Sequence, residues 1–186
     1  MKYIVKAPNN INATVTLPAS KSLSNRALLI SAMAHDANGG SMILPDNLSD
    51  CDDTDVIVSA LRDMPDVIDI KAAGTAMRFM TAYLSVRDGE EHVITGTDRM
   101  CHRPIKTLVD ALRSLGADIE YVGEEGYPPL RIRGRRLQGG RIAIPGNVSS
   151  QYITGLLIAL AYTKQKSVIN ISTNLESKGY VDMTIR

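Results

Sequence analysis

The sequence predicts an α/β protein assembled from repeated units of supersecondary structure. Three observations predict it. Stretches that alternate or are rich in β-branched residues take turns with stretches whose apolar residues recur at helical spacing. The segment Val58-Ser59-Ala60-Leu61-Arg62 returns fifty-one residues later as Val109-Asp110-Ala111-Leu112-Arg113. Pro18, Ser22, Leu29, Ile30, Ala32 and Ala34 are matched at a constant offset of 127 by Pro145, Ser149, Leu156, Leu157, Ala159 and Ala161. If that offset holds two units, each spans roughly 50 to 65 residues, a length at which stacked units bury a continuous core.

Taken in order, residues 2–6 and 11–17 are predicted strands on either side of the turn-like Pro8-Asn9-Asn10. A first helix runs from about Ser20 to Ala34, with Leu23, Ala27, Ile30 and Ala34 in register and Ser20 or Ser22 able to cap it. His35 to Ser41 is polar and carries glycines, so it reads as a loop. Met42-Ile43-Leu44 is a short strand, and the acidic stretch before Asp53 feeds a second helix, about Asp52 to Met64, whose start suits the helix dipole. Val67 to Lys71 is a strand, Gly74 to Val86 a helix and His92 to Thr95 a strand. The loop from Gly96 to His102 leads to Pro104, which starts a helix ending at Leu115, where Gly116 stops it. Asp118 to Val122, Leu130 to Arg133 and Arg141 to Ile144 are strands between glycine-rich turns. A helix from Ser149 to Tyr162, a strand from Val168 to Ser172 and a helix opening near Tyr180 complete the chain. The third unit is unfinished at Arg186, which predicts a chain cut inside that unit.

Composition narrows the function. The 186 residues are 44% hydrophobic and 22% charged, ordinary for a soluble globular protein, and the net charge is +1. No general attraction to nucleic acid or membrane follows, so any basic site is local. With no Trp, one Phe and seven Tyr, a base-stacking surface is not expected. Cys51 and Cys101 are the only cysteines and read as reduced thiols of a cytoplasmic protein. The start has no apolar core long enough for a secretory leader, and the apolar run from Gly155 to Tyr162 is far short of the roughly 20 residues a membrane span needs. The histidines at 35, 92 and 102 have no metal-ligand spacing.

The chemistry concentrates at helix starts. The three apolar helices open on Ser20-Lys21-Ser22 with Arg26, on Ala73-Gly74-Thr75 with Arg78, and on Asn147-Val148-Ser149-Ser150-Gln151. Free N–H groups and the positive end of the dipole favour an anion at such a place. Repetition brings the three starts to comparable positions, plausible walls of one phosphate or carboxylate site. Arg26 and Arg78 stand inside otherwise apolar helices, an uncommon setting for a casual charge. Arg99 and Arg103, four apart in a loop, form a clamp for a small carboxylate. Ser177-Lys178-Gly179-Tyr180 echoes the first Ser-Lys. Cys101 beside His102 is not a nucleophile pair, because adjacent side chains rarely face one another. Arg131, Arg133, Arg135 and Arg136 are expected to splay to different faces as a solvated edge.

Five motifs carry a resemblance: Leu-Pro-x-Ser-Lys-Ser-x-Ser-Asn-Arg-Ala-Leu at 17–28, Ala-Gly-Thr-Ala-Met-Arg at 73–78, Asp-Arg-Met-x-x-Arg-Pro-Ile at 98–105, Val-Ser-Ser-Gln-Tyr at 148–152 and Ser-Lys-x-Tyr at 177–180. In this order they resemble the 3-phosphoshikimate 1-carboxyvinyltransferase (EPSP synthase) family. The resemblance implies the enolpyruvyl transferase fold, an inverted α/β barrel-like domain of βαβαββ units. Residues 1–12 would be an opening strand belonging with a second domain, and residues 13–186 most of one domain with its third unit incomplete. It implies transfer of the enolpyruvyl group of phosphoenolpyruvate to the 5-hydroxyl of shikimate 3-phosphate, by addition then elimination, with release of phosphate and no cofactor or metal. Lys21 would meet both substrates and act in catalysis. Ser22, Arg26, Ser149, Ser150, Ser177 and Tyr180 would hold shikimate 3-phosphate. Gly74 and Arg99 would hold phosphoenolpyruvate, and Gln151 would reach both. Arg78 and Arg103 would support them. The catalytic aspartate, glutamate and a second lysine would lie beyond residue 186, in a monomer more than twice this long. The fragment alone is expected to bind shikimate 3-phosphate weakly and to turn nothing over.

Two positions depart from the family pattern. Ala72 replaces the usual Asn before Ala-Gly-Thr, and Gly179 stands where Pro is common. The related UDP-N-acetylglucosamine enolpyruvyl transferases carry Asn after the lysine and Cys five residues before the Arg-Pro; here those positions are Ser22 and Asp98. The reading from another class is a non-catalytic module that binds a phosphosugar or other anion.

Overall fold

The structure, a computed structural model, describes residues 3–39 and 42–186. Its centre is one complete βαβαββ unit. Strand β1 (Val67–Asp69) leads to α3 (Gly74–Ser85), then β2 (Glu91–Thr95), α5 (Lys106–Ser114) and the antiparallel pair β3 (Asp118–Tyr121) and β4 (Leu130–Arg133). The helices that precede this unit are α1 (Lys21–Asn38) and α2 (Asp52–Asp63), and the short α4 (Asp98–Cys101) interrupts it. The strands order as β1-β2-β4-β3, with β1 parallel to β2 and the other pairs antiparallel. A second sheet pairs β5 (Arg141–Ile144) with β6 (Val168–Ile171) in parallel, joined through α6 (Ser150–Leu160) and followed by α7 (Lys178–Ile185).

Burial explains the two kinds of helix. All twelve residues of α3 are buried, so this helix has no polar face and forms the axis of the core. Helix α6 packs along it, and α1 adds Leu28, Leu29, Ala32 and Met33. Outer helix α5 is amphipathic: Leu108, Val109, Ala111 and Leu112 face inward. Helix α2 does the same with Val56, Ile57, Ala60 and Leu61. Thus both echoes seen in the sequence mark equivalent elements, α2 with α5 and α1 with α6. Gly116 ends α5 in the left-handed region, φ 96°, where its N–H and that of Ala117 satisfy the last carbonyls of the helix.

Several expectations are corrected. Within the described residues, 3–6, 11–17 and 42–44 form no strands; Lys2 lies outside them. Ile4, Val5, Ile11, Val15 and Ile43 are mostly in solvent. In the central unit a hairpin closes the β1–β2 pair; the first unit has none, since α2 is followed by β1 after three residues. Without such a partner a single strand leaves its backbone groups to water. The predicted loop from His35 begins instead as the last turn of α1, held by Asp36, which accepts from the Tyr83 hydroxyl at 2.8 Å and pairs with Arg87. Gly40 and Ser41 lie outside the described residues. The helix expected at Pro104 starts at Lys106, because the Pro104 carbonyl instead accepts from Arg78 (2.8 Å) and from the Tyr152 hydroxyl (2.7 Å). Arg131 and Arg133 do not splay: being two apart on a strand they share a face, and both bond Glu91, at 2.9 and 3.0 Å. Arg133 also reaches Glu120 and Asp118, Arg135 pairs with Asp118, and Arg136 with Asp88.

Candidate functional site

Helix starts far apart in sequence gather through two sets of hydrogen bonds. Gln151, in the first turn of α6, donates to the Thr75 hydroxyl in the first turn of α3, at 3.1 Å. Arg26, one turn into α1, is buried and draws in α6 and α7. It donates to the Ser22 carbonyl (2.8 Å), the Thr154 hydroxyl (3.0 Å), the Tyr180 carbonyl (2.9 Å) and the Thr184 hydroxyl (2.7 Å). Its guanidinium carbon stands 5.3 Å from the Phe79 ring centroid on α3. Burial pulls its pKa below the ordinary arginine value. Arg78 repeats the device one unit later: it bonds back to the Gly74 carbonyl at 3.2 Å and lies 5.9 Å from the Tyr152 ring centroid. Burial lowers its pKa too. These two arginines are occupied by protein atoms, and their positions on neighbouring helices set the spacing of the helix starts.

Other predicted residues are more open. Lys21 is half exposed and pairs with Asp53, in the first turn of α2, at 3.5 Å. Ser149 caps α6, accepting from the Gln151 N–H at 3.3 Å, as Ser20 caps α1 by accepting from Leu23 at 3.4 Å. Among the described residues the hydroxyls of Ser22, Ser150 and Ser177 make no hydrogen bond. Ser177 sits in the left-handed region, φ 53°, directly before α7, which begins two residues earlier than expected. Tyr180 is half exposed while its carbonyl serves Arg26. Arg99 and Arg103 are exposed and, among the described residues, have no carboxylate partner. With Ala72 and Met100 they line a cleft of about 230 Å³ beside the start of α3. Cys101 and His102 do not face each other: the thiol turns to the Gly96 carbonyl and the imidazole to the Asp98 carbonyl.

Not every motif residue faces a ligand. Ser24 and Asn25 are buried and lace α1 to α2, through Ser49 N–H to the Ser24 hydroxyl (2.8 Å) and the Thr54 hydroxyl to Asn25 (3.0 Å). Thr75, from the second of the predicted helix starts, belongs to the polar cluster; Thr154, Thr184 and Asp53 complete it and were not singled out by sequence reasoning. Thr154 had a signal: it is a hydroxyl one turn beyond Ser150 in an otherwise apolar helix. An apolar groove of about 710 Å³ between α1, α6 and α7, lined by Ile30, Met33, Leu157 and Ile185, is larger than the arginine cleft, but its lining holds no cation and its hydroxyls, of Tyr162 and Thr184, already donate to the Met33 and Tyr180 carbonyls.

The family model described as EPSP synthase (3-phosphoshikimate 1-carboxyvinyltransferase) matches residues 5–67 and 63–186. The 3-phosphoshikimate 1-carboxyvinyltransferase of Bacteroides fragilis strain YCH46 is 53% identical over 186 residues, all of this chain and 44% of that protein. That of Mannheimia succiniciproducens is 39% identical, over 95% of this chain and 47% of that protein. A solved structure of EPSP synthase from Acinetobacter baumannii superposes with a TM-score of 0.73 at 23% identity, covering 88% of this chain and 41% of that one, a likeness of fold. The chain therefore spans less than half the length of these relatives.

Proposed function

The chain belongs to the EPSP synthase family, and from that premise we propose that it supplies one half of the active site of a 3-phosphoshikimate 1-carboxyvinyltransferase. In this reading residues 13–186 are most of one domain, and residues 1–12 pack with a second. The whole enzyme is a cytoplasmic monomer acting on two small anions without a cofactor. The observation that carries the reading is the convergence of motif-bearing helix starts from α1, α3, α6 and α7 on one cluster rich in hydroxyls and cations. Each lies at the head of a helix, where the first N–H groups lack intrahelical acceptors.

In the reaction the 5-hydroxyl of shikimate 3-phosphate adds to C2 of phosphoenolpyruvate while C3 gains a proton. C3 then loses a proton, the C2–O bond to phosphate breaks, and phosphate leaves. This chain's part is to hold charge. Ser149, Ser150 and Ser177 offer hydroxyls to the 3-phosphate, with Ser22 and Tyr180 beside it. Arg26 fixes the backbone of Ser22 and Tyr180, and its side chain reaches the substrate only by exchanging protein acceptors for substrate oxygens. Gly74 and Arg99 receive phosphoenolpyruvate, Gln151 spans both ligands, and Lys21 stabilises the phosphate as charge builds on its bridging oxygen.

Titration of the 186-residue chain with shikimate 3-phosphate should move the amide resonances at the starts of α1, α6 and α7, with weak affinity and no phosphate release when phosphoenolpyruvate is added. Turnover by this chain would overturn the half-site reading. In a protein of the relatives' full length, Lys21→Ala should lower the rate of phosphate release by about 10²-fold or more. An anion-binding module would release no phosphate at full length either.

A further inference from the structure

The site at the start of α3 contains a close approach that its assigned ligands do not explain. A Cβ placed on Gly74 would lie 2.3 Å from Nη1, 2.8 Å from Cζ and 3.0 Å from Nη2 of Arg103. The guanidinium thus lies against the α-carbon of the first residue of a buried helix. Among the described residues its one hydrogen-bond contact is the thioether of Met100 at 3.9 Å, a weak acceptor. By itself this is an unfavourable place for a cation. The helix presents its positive end there, Ala73 provides no side-chain cap, and the first turn holds no acidic residue. Arg99 shares the cleft, and Arg78 lies beneath with its guanidinium bonded to the carbonyls of Gly74 and Pro104. Asp98, adjacent in sequence, pairs with His102 at 3.7 Å instead. Three guanidiniums and a helix start therefore meet with no carboxylate among the described residues to balance them.

The geometry points to Arg103 as a second guanidinium gripping the phosphate of phosphoenolpyruvate, and to Gly74 as the residue whose missing side chain lets Arg103 lie there. This rests on the reading of the cleft as the phosphoenolpyruvate site. A phosphate suits it better than a carboxylate, because three separate donors converge: the N–H groups opening α3, Arg99 and Arg103. The phosphate carries more negative charge than a carboxylate and offers one terminal oxygen to each of the three. It follows that a methyl group at position 74 acts at a distance. The side chain it would strike is the mobile end of Arg103, which swings aside and leaves the anion, so the fold survives and the grip weakens.

The test is a double-mutant cycle on the 186-residue chain, read from the backbone amide at position 74 in two-dimensional NMR during titration with phosphoenolpyruvate and, separately, inorganic phosphate. Arg103→Met should raise the dissociation constant about tenfold or more, and Arg103→Lys should recover part of that loss. Gly74→Ala should weaken binding by a comparable factor, and the double variant should be no weaker than the weaker single within about twofold. Amide dispersion in the same spectra reports the fold of each variant, and Arg103→Lys carries the comparison if Arg103→Met is unfolded. Unchanged binding by folded Arg103 variants, with Arg99→Met losing it, overturns this role and leaves the reading of the cleft intact. Multiplying losses in the double variant overturn the link from Gly74 through Arg103. Absence of any shift at position 74 in the parent chain overturns both.

Discussion

At the scale of single residues, Lys21 and Arg26 show how differently two cations of one motif behave. Lys21 is half exposed and its contact with Asp53 is a surface ion pair, of the kind worth under about 1 kcal/mol. Lys21→Ala should therefore leave folding stability within about 0.5 kcal/mol of the parent. Arg26 is 5% exposed and holds four acceptors from three helices. Arg26→Met would remove a donor from the buried Thr154 hydroxyl and from the part-buried carbonyls of Ser22 and Tyr180, and should cost about 2 kcal/mol in urea unfolding. A loss below about 1 kcal/mol would mean that those acceptors find water. Gly134 tests a different kind of contact. A Cβ there would meet the Arg87 carbonyl oxygen, and backbone, unlike the tip of Arg103, has nowhere to move. Gly134→Ala should thus destabilise by about 2 kcal/mol or more, whereas Gly74→Ala should cost far less.

Among elements, the far ends of α1 and α3 are joined by a charged cluster. Asp36 meets Tyr83 and Arg87, and Arg87 meets Glu90 at 2.6 Å, with His92 at 3.3 Å from Glu90. Burial alone would raise the pKa of Glu90, but hydrogen bonds from Arg87 and His92 outweigh it and hold the carboxyl below its ordinary value of 4.5. A carboxyl with a depressed folded pKa binds its proton more readily in the unfolded chain. Its contribution is complete above pH 4.5 and fades as pH falls through and below that value. Urea midpoints should therefore drop between about pH 5 and pH 3 more steeply in the parent than in Glu90→Gln. Equal slopes would remove Glu90 from the cause.

For the molecule as a whole, stability should be concentrated in the complete unit. Residues 67–133 combine both sheet edges of a βαβαββ unit with the fully buried α3, whereas residues 3–19 have no regular structure and lie mostly in solvent. Hydrogen exchange should be slowest in α3, β2 and β4 and close to that of an unfolded chain in 3–19. Strong protection of Ile11 to Leu17 would show that the first unit forms strands after all.

The alternation of elements, both repeat offsets and the polar heads of the apolar helices were legible in the sequence, because periodicity and capping are local properties that neighbouring residues express. Helix boundaries shifted by a few residues wherever a distant group claimed a backbone atom, as Arg78 and Tyr152 do at the Pro104 carbonyl. Strands 11–17 and 42–44 failed for the same kind of reason: a strand's backbone is satisfied only by a neighbour, and sequence does not say whether that neighbour is there. Within the candidate site the sequence picked out Lys21, Arg26, Gly74 and Gln151 by type and place. Only the tertiary structure decided that Arg26 faces protein, that Gln151 reaches Thr75, and that Arg103 rests on Gly74. Those outcomes depend on which helices pack together and which donors already have acceptors, and packing is a property of the whole chain.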